Sequence, residues 1–148
     1  GELVYEGKNV MLGYAKNRSD LSKGDECRGI LFTGDMARRD EAGFYYIEGR
    51  KKRFLKLFGN RISLDGTERL LKHHFGGCDF ACTGNDEGMK IFMAMPKGHC
   101  ALPKPEETAI FLEKATKLSR RVFEVITVGE IPKNDAGKVL YKKLEELP

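Results

Sequence analysis

Three short segments of the 148-residue sequence contain residue types and spacings that could carry chemistry. The first is Thr33-Gly34-Asp35, which follows an apolar, strand-like run. An ionised carboxylate at a strand end offers about four acceptor sites and can hold two vicinal hydroxyls, such as those of a ribose. Taken alone, such a segment is more often a turn in which the aspartate caps its own backbone.

The second segment is the basic run Gly-Arg-Lys-Lys-Arg-Phe-Leu-Lys at residues 49–56. An arginine fork can grip hydroxyls or phosphate, although basic runs are more often solvated strand faces. Strand alternation places Lys52 and Lys56 on one face and Arg53 on the other, beside two leucines. The run is therefore predicted to be more than a surface patch.

The third segment is Pro-Lys-Asn-Asp-Ala-Gly-Lys at residues 132–138. Gly137 lets the backbone approach a ligand while the ammonium of Lys138 reaches an anion. The segment is not a Walker A loop, because the second glycine is missing and Val139 follows the lysine in place of Ser or Thr. Taken alone, it is more often a plain turn.

The elements that must position these segments fall into two predicted parts. Residues 1–48 read as β structure, with a hairpin that turns at residues 40–43. Residues 49–148 predict a hairpin, helix, strand, strand, helix, strand, loop and short helix, in that order. This order indicates an α+β fold, in which helices cover a three-stranded sheet beside a two-stranded hairpin.

Three local signals set expected boundaries in the second part. Gly59-Asn60 is expected to form the two-residue loop of the hairpin, in a type II′ turn. Asp65 is expected to be the N-cap of the following helix, with Glu68 three residues on, and the pair Gly76-Gly77 to end that helix.

Composition excludes several classes of protein. The chain carries 26 basic and 22 acidic residues, a formal charge of +4, and 41% hydrophobic residues, which is an ordinary globular composition. This charge suits a protein that meets nucleotides but is too weak to indicate a nucleic-acid partner. The sequence shows neither an apolar run of membrane-spanning length nor a signal-peptide pattern, so we expect a cytoplasmic location and no membrane span.

A metal site is not predicted. The candidate sulfur and imidazole groups are Cys27, Cys78, Cys82, Cys100, His73, His74 and His99. Their spacings fit no zinc finger or ribbon, so the cysteines are expected to be reduced thiols, some of them buried. A site built from Cys78, Cys82 and the histidines remains the less favoured alternative.

In their order and spacing, these segments resemble motifs of the adenylate-forming superfamily, which includes acyl-CoA synthetases, peptide-synthetase adenylation domains and luciferases. Residues 1–14 resemble its Gly-Glu-Leu … Gly … Gly-Tyr motif, and residues 32–35 its Tyr-x-Thr-Gly-Asp motif. Residues 49–68 resemble the interdomain hinge motif, and residues 132–138 the terminal Pro-x-x-x-x-Gly-Lys loop. The resemblance covers nearly the whole chain.

The resemblance implies the C-terminal part of an AMP-forming ligase. Residues 1–48 would be the β-rich end of the large adenylation domain, and residues 49–148 the C-terminal lid domain. The family's Ser/Thr/Gly-rich phosphate loop and its Tyr-Gly-x-Thr-Glu motif, both upstream in such proteins, do not occur in these 148 residues. The chain is therefore expected to be a fragment that needs an upstream large domain and is inactive alone.

The implied reaction joins a carboxylic acid to ATP, with Mg²⁺ bound by the missing large domain, and releases pyrophosphate. The acyl group then passes to a thiol of coenzyme A or of a phosphopantetheinyl carrier. The resemblance implies that Asp35 holds the ribose hydroxyls and that Arg50 faces ribose and phosphate. Lys138 reaches the α-phosphate and the substrate carboxylate.

The hinge motif implies two further assignments. Lys52 matches the hinge about which the small domain swings, while Lys56 and Gly59 lie on the hairpin that approaches the thiol. The sequence differs from the same motif at residues 66–68, where the family often has Glu-Ile-Glu and this chain has Gly66-Thr67-Glu68.

A small basic module that binds nucleic acid is the alternative function, and a scaffold domain without a ligand is a third. The aromatic residues that could stack bases are Phe44, Tyr45, Tyr46 and Phe54. Such a module would need these rings on one exposed face.

Overall fold

The computed structural model describes residues 1–94 and 102–146. The chain divides into two compact units, Gly1–Lys52 (unit 1) and Arg53–Pro148 (unit 2). The boundary between the units therefore falls directly after Lys52. The assignment of residues 1–48 to the end of a large domain stays a prediction.

Unit 1 is a three-stranded antiparallel sheet in the order β1-β2-β3. Its strands are β1 (Glu2–Glu6), β2 (Ile30–Arg39) and β3 (Tyr45–Arg50), with a 3₁₀ turn at Arg18–Ser22. The predicted hairpin joins β2 to β3, and the carboxylate of Asp40 organises its turn by accepting the N–H of Phe44 at 2.9 Å.

Unit 1 encloses very little apolar surface. Ala37 is its only buried hydrophobic residue, although all 52 residues of the unit are described. The large hydrophobic side chains that it exposes are Val4, Tyr5, Leu12, Tyr14, Leu21, Ile30, Phe32, Phe44, Tyr45, Tyr46 and Ile47. Since buried apolar area is the main favourable term in folding, this sheet has no core of its own.

Unit 2 has the predicted order of elements. They are β4 (Phe54–Leu57), β5 (Asn60–Ser63), α1 (Leu64–Phe75), β6 (Asp79–Asn85), β7 (Gly88–Ala94), α2 (Pro105–Thr116), β8 (Phe123–Thr127) and α3 (Tyr141–Glu145). Strands β4 and β5 form a separate hairpin, while β7 lies at the centre of the second sheet, antiparallel to β6 and parallel to β8. A parallel pair needs a crossover connection, and α2 supplies it. The predicted α+β fold class is confirmed.

Two apolar clusters cover the two faces of the β6-β7-β8 sheet. The larger one joins β4, α1 and α2 to one face through Leu55, Leu57, Leu64, Leu71, Phe80, Cys82, Met89, Ile91, Met93 and Leu112. The smaller one joins the other face to the C-terminal segment through Ala81, Phe92, Ala94, Ile131 and Leu144. The loop at residues 132–138 is therefore held between two buried anchors, Ile131 and Leu144.

The loop of the β4–β5 hairpin differs from the prediction. Leu57 pairs with Asn60, so the two loop residues are Phe58 and Gly59 rather than Gly59 and Asn60. Both have positive φ, at 50° and 80°. This is the pattern of a type I′ turn, which matches the strand twist and replaces the expected type II′ turn.

The start of α1 also differs from the prediction. The N-cap is Ser63, whose hydroxyl accepts the N–H of Gly66 at 3.0 Å. Asp65 lies inside the first turn, where its carboxylate binds the guanidinium of Arg53 at 2.7 Å. The predicted glycine pair at residues 76–77 does end the helix.

The helices of the described part are short. Helices α1 and α2 each have 12 residues. None of the helices within residues 1–94 and 102–146 combines the length and the apolar character needed to cross a membrane.

Candidate functional site

Asp35 and Arg50, the two residues predicted to bind a nucleotide, face each other across β2 and β3. The Nε of Arg50 lies 2.8 Å from Oδ1 of Asp35. The Arg50 side chain is 68% exposed and that of Asp35 is 28% exposed. The strand pairing thus places a carboxylate and a guanidinium at one solvent-accessible point, with a geometry that suits hydroxyls and phosphate.

Hydrogen bonds to the backbone fix the conformation of the segment that leads into Asp35. The hydroxyl of Thr33 donates to the carbonyl of Leu3 at 2.7 Å and accepts the N–H of Asp35 at 3.1 Å. Between them Gly34 has a φ of +75°, which a residue with a Cβ adopts only with strain. The Thr-Gly-Asp order is therefore what the local backbone requires.

Glu2 is a supporting residue that the sequence did not single out. Its carboxylate accepts the N–H of Gly34 at 3.2 Å and binds the ammonium of Lys51 at 2.6 Å. The hydrogen bond from Lys51 lowers the pKa of Glu2 below its ordinary value. The only signal for this residue was its place in the Gly-Glu-Leu segment.

The predicted hinge residue lies at the boundary between the units. Lys52 is the middle residue of a short 3₁₀ turn, Lys51–Arg53, and its side chain is exposed. Unit 2 begins with the next residue.

The β4–β5 hairpin presents a basic face. Lys56 is paired directly with Arg61, so both cations project from the same side of the ribbon. The guanidinium of Arg61 lies 4.2 Å from the ring centroid of Phe54, and the N–H of Lys56 donates to Asp86 at 2.9 Å. Gly59 follows at the tip of the hairpin.

The loop at residues 132–138 is a compact, closed turn. Lys133 and Val139 form an antiparallel bridge at its base, and the ammonium of Lys133 binds Asp79 of β6 at 2.7 Å. Asn134 accepts the N–H of Lys138 through its side-chain oxygen at 2.9 Å. The loop therefore has a defined shape that does not depend on a ligand.

Lys138 lies at the end of this loop with an exposed side chain. Within residues 1–94 and 102–146 no carboxylate lies at ion-pair distance from its ammonium. A solvated ammonium next to a glycine of positive φ, here Gly137 at +74°, can be inserted into a binding site without breaking an existing ion pair.

The predicted site residues thus lie in three places. Asp35 and Arg50 meet in unit 1, whereas Lys56 and Gly59 share the first hairpin of unit 2. Lys138 lies on a separate loop of unit 2.

Sequence reasoning missed a partly buried polar cluster in unit 2, which we call the Arg53 cluster. It comprises Arg53, Asp65, Glu68, the backbone of Cys82, and Tyr141. Burial raises the pKa of Glu68, against the opposing effects of the Cys82 N–H and the Arg53 guanidinium. Strand alternation did place Arg53 on the same face as Leu55 and Leu57, but nothing local indicates its partners.

The described residues show no metal centre. Within residues 1–94 and 102–146, no group of three or more His, Cys, Asp or Glu side chains is placed to hold a metal ion. Burial raises the pKa of the Cys82 thiol well above its ordinary value, so this cysteine stays protonated. His99 and Cys100 lie outside the described residues.

The aromatic residues considered for nucleic-acid binding do not form one platform. Tyr45 and Tyr46 are successive residues of β3 and point to opposite faces of the sheet. Each is paired with an arginine of β2, Arg39 and Arg38 respectively. Phe54 belongs to the other unit.

Comparison with curated proteins finds CoA ligases along almost the whole chain. A probable CoA ligase (CCL5) of Humulus lupulus is 34% identical across 99% of the chain and 27% of its own length. The peroxisomal OPC-8:0-CoA ligase 1 of Arabidopsis thaliana is 32% identical across 97% of the chain and 27% of its length. The medium-chain fatty-acid–CoA ligase of Escherichia coli is 26% identical across 94% of the chain and 25% of its length. The chain thus spans about a quarter of the length of these relatives.

Solved structures give the same fold. The amide bond synthetase McbA of Marinactinospora thermotolerans matches with a TM-score of 0.72 and 21% identity, over 99% of this chain and 30% of that one. The o-succinylbenzoate coenzyme A synthetase MenE of Bacillus subtilis, in complex with AMP, matches with a TM-score of 0.67 and 22% identity, over 99% and 30%. No family model matches the chain. The relatives in sequence are thus CoA ligases, and the structural neighbours McbA and MenE, which share the fold, are adenylate-forming enzymes. None of these relatives supports the nucleic-acid alternative.

Proposed function

We propose that the chain is the C-terminal part of an ATP-dependent, AMP-forming ligase that activates a carboxylic acid and transfers it to a thiol. The observation that carries the proposal is the alignment of nearly the whole chain with a CoA ligase at 34% identity, with the Asp35–Arg50 pair and the exposed Lys138 at the motif positions. A carboxylate oxygen attacks the α-phosphorus, and pyrophosphate leaves with the electrons of the broken P–O bond. A thiolate then attacks the acyl carbon, and AMP leaves.

Asp35 and Arg50 would hold the nucleotide. The partly exposed carboxylate of Asp35 can accept the two vicinal hydroxyls of the ribose, while the planar guanidinium of Arg50 donates to ribose and phosphate oxygens. Their mutual contact of 2.8 Å keeps both groups oriented before the nucleotide arrives.

Lys138 would act in adenylation. Attack of a carboxylate on the α-phosphorus brings two anions together, and an ammonium at that point offsets the developing negative charge. The closed loop at residues 132–138 presents that ammonium from a turn of defined shape.

Lys52 and the β4–β5 hairpin would serve the second half-reaction. The unit boundary directly after Lys52 supports this residue as the hinge, because a swivel must lie between compact bodies. Lys56 and Gly59 would then be delivered toward the thiol of coenzyme A or of a phosphopantetheinyl carrier.

The large domain would complete the enzyme. The exposed apolar side chains of unit 1 and its lack of a core support the proposal that residues 1–48 end a larger domain. That domain would also hold the Mg²⁺ that accompanies ATP, since the described residues provide no cluster of metal ligands. A cytoplasmic location belongs to the same proposal.

The test uses the longer protein that contains this chain. Exchange of labelled pyrophosphate into ATP, measured with a panel of carboxylic acids, reports adenylation, and thioester formation from a supplied acyl-adenylate reports transfer. Lys138→Ala should lower exchange by about 10²–10³-fold and leave transfer intact.

Lys142→Ala is the matched control, because Lys142 is another exposed lysine, in α3, to which no role is assigned. It should leave both half-reactions unchanged. The proposal fails if no acid supports exchange, or if Lys138→Ala lowers both half-reactions equally.

A further inference from the structure

The Arg53 cluster begins at the first residue of unit 2. The Nε of Arg53 lies 2.7 Å from Asp65, and its Nη2 lies 2.5 Å from Glu68. Its Nη1 donates to the carbonyl of Cys82 at 3.0 Å. Because three nitrogens of one planar guanidinium are engaged in three directions, the plane of the group is fixed.

The cluster ends at Tyr141, the first residue of α3. The guanidinium carbon of Arg53 lies 3.7 Å from the ring centroid of Tyr141. The hydroxyl of Tyr141 donates to the carboxylate of Glu68, at 3.2 Å from Oε1. Tyr141 therefore touches two members of the cluster through two different parts of its side chain.

The cluster is largely shielded from water. The side chains of Arg53 and Glu68 are 15% and 12% exposed, and Glu68 also accepts the N–H of Cys82 at 2.8 Å. Within the described residues no buried side-chain nitrogen or oxygen lacks a hydrogen-bond partner. A buried ion pair of this kind adds little net stability against an apolar replacement, so its directional geometry is the property to explain.

The geometry connects the unit boundary to the Lys138 loop. Tyr141 follows Lys138 by three residues, and the intervening Leu140 donates its N–H to the carbonyl of Pro132 at 2.8 Å. The first residue of the loop, Pro132, is thereby hydrogen-bonded to the residue directly before Tyr141, and the last residue, Lys138, lies two residues before that one in the chain. A continuous series of contacts runs from Arg53 through Glu68 and Tyr141 to the loop.

We propose that Arg53, Glu68 and Tyr141 are positioning residues that hold the Lys138 loop in a fixed place relative to the first residue after the unit boundary. This inference rests on the proposed function, because it concerns the half-reaction that uses Lys138. If unit 2 rotates about Lys52, as the proposed function requires, Lys138 reaches the reacting groups in the right position only when the part of unit 2 between Lys52 and the loop keeps its shape. The Arg53 cluster lies in that part of unit 2 and connects its first residue to the loop.

Tyr141→Phe in the longer protein is the sharpest test, because it keeps the ring over Arg53 and removes only the hydroxyl. Adenylation, measured as pyrophosphate exchange, should lose about tenfold in kcat, since a small misplacement of a catalytic group caused by a remote change slows the reaction. The KM for ATP and the transfer of a supplied acyl-adenylate to the thiol should not change. A loss confined to one half-reaction separates positioning from a merely structural role.

Tyr46→Phe is the matched control. The hydroxyl of Tyr46 also donates to a carboxylate, that of Asp40 at 2.9 Å, but it lies on the exposed hairpin of unit 1. It should leave both half-reactions unchanged.

Amide hydrogen exchange gives a readout that does not depend on activity. In Tyr141→Phe the N–H of Lys138 should exchange faster than in the wild type, while amides of β7 keep their protection. The inference is overturned if adenylation and the Lys138 amide are both unaffected, or if both half-reactions fall by one factor. If the wild type catalyses no exchange with any acid, the proposed function fails as well, so the two failures are distinguishable.

Discussion

The side-chain oxygen of Asn134 accepts the backbone N–H of Lys138 at 2.9 Å. The same oxygen accepts the N–H of Ala136 at 3.1 Å, and the N–H of Asn134 donates to the carbonyl of Lys138 at 2.9 Å. One short polar side chain thus replaces the backbone partners that a turn of this length lacks. The position of Lys138 is set by Asn134 as much as by the glycine before it.

Asn134→Ala should therefore loosen the Lys138 loop and slow adenylation. Two hydrogen bonds of about 0.5–1.5 kcal/mol each are lost. Because a misplaced catalytic group slows the reaction, we expect roughly a tenfold loss in the rate of pyrophosphate exchange. Transfer of a supplied acyl-adenylate should be unaffected, because that half-reaction does not use Lys138 in the proposed mechanism.

Asn85→Ala is the control for the Asn134 variant. Asn85 makes the same kind of turn in the β6–β7 hairpin, where its side-chain oxygen accepts the N–H groups of Glu87 and Gly88 at 2.9 and 3.3 Å. Its loss should cost similar stability with no effect on adenylation. Equal slowing in both variants would contradict the assigned role of Asn134.

Because Tyr141 ionises at alkaline pH, we expect it to make the free energy of unfolding depend on pH in that range. Burial, and then the charge of Glu68, raise the pKa of Tyr141 to about 12 from an ordinary value of 10.0. A group whose pKa is raised on folding contributes stability below its unfolded pKa and loses it as the pH rises through its folded pKa. Tyr141 should therefore stabilise the wild type fully below pH 10.0 and progressively less up to pH about 12.

An ultraviolet titration of the phenol groups checks this prediction. The wild type should show a step near the top of that range that is missing in Tyr141→Phe. Unfolding by urea at several alkaline pH values should show the difference in stability between the two proteins shrinking across the same range. A difference that stays constant with pH would contradict the prediction.

Phe58→Asn should stabilise the chain. Phe58 is 74% exposed and has a φ of 50°, a conformation that costs a residue with a Cβ about 1–2 kcal/mol. Asn followed by Gly is the preferred pair for a type I′ turn, so the variant should gain about 1 kcal/mol in the free energy of unfolding, measured with urea.

Phe44→Asn controls for the removal of an exposed aromatic side chain. Phe44 is 66% exposed and does not have positive φ. It should bring no comparable gain. Similar gains in the two variants would show that the aromatic surface, and not the turn, is the cause.

The order of elements in unit 2 could be predicted because each is signalled by its own residues. Alternation in residues 52–57 correctly put the leucines of β4 and Lys56 on opposite faces, since a strand has a period of two, and in the structure the leucines are buried and Lys56 is exposed. The tip of the β4–β5 hairpin was misplaced by one residue, because Phe58 carries no local signal for positive φ. Sequence patterns indicate the conformation that a residue prefers locally. Phe58 instead has the conformation that the pairing of Leu57 with Asn60 imposes on it.

The contacts within the candidate site could be predicted only in part. Asp35 and Arg50 were singled out separately, but their ion pair depends on the register of β2 and β3, which the sequence did not specify. The bond from Tyr141 to Glu68 joins residues 73 apart, and its partners are ordinary residues for a helix start. Long-range polar pairs of this kind need the packed structure.

Gly84→Ala should destabilise the chain more than any variant above. A Cβ at Gly84 would lie 2.3 Å from the carbonyl oxygen of Gly88 and 2.9 Å from Cα of Met89, both backbone atoms of the paired strand, and the φ is +149°. Backbone strain and overpacking each cost about 1–3 kcal/mol, so a loss of about 2–6 kcal/mol in the free energy of unfolding is expected. Gly129→Ala is the control, because among the described residues no atom beyond its chain neighbours lies within 4 Å of its Cβ position; its effect should stay within about 1 kcal/mol. Urea unfolding of both variants decides: a Gly84→Ala protein as stable as Gly129→Ala would mean that β6 and β7 separate at this point at little cost.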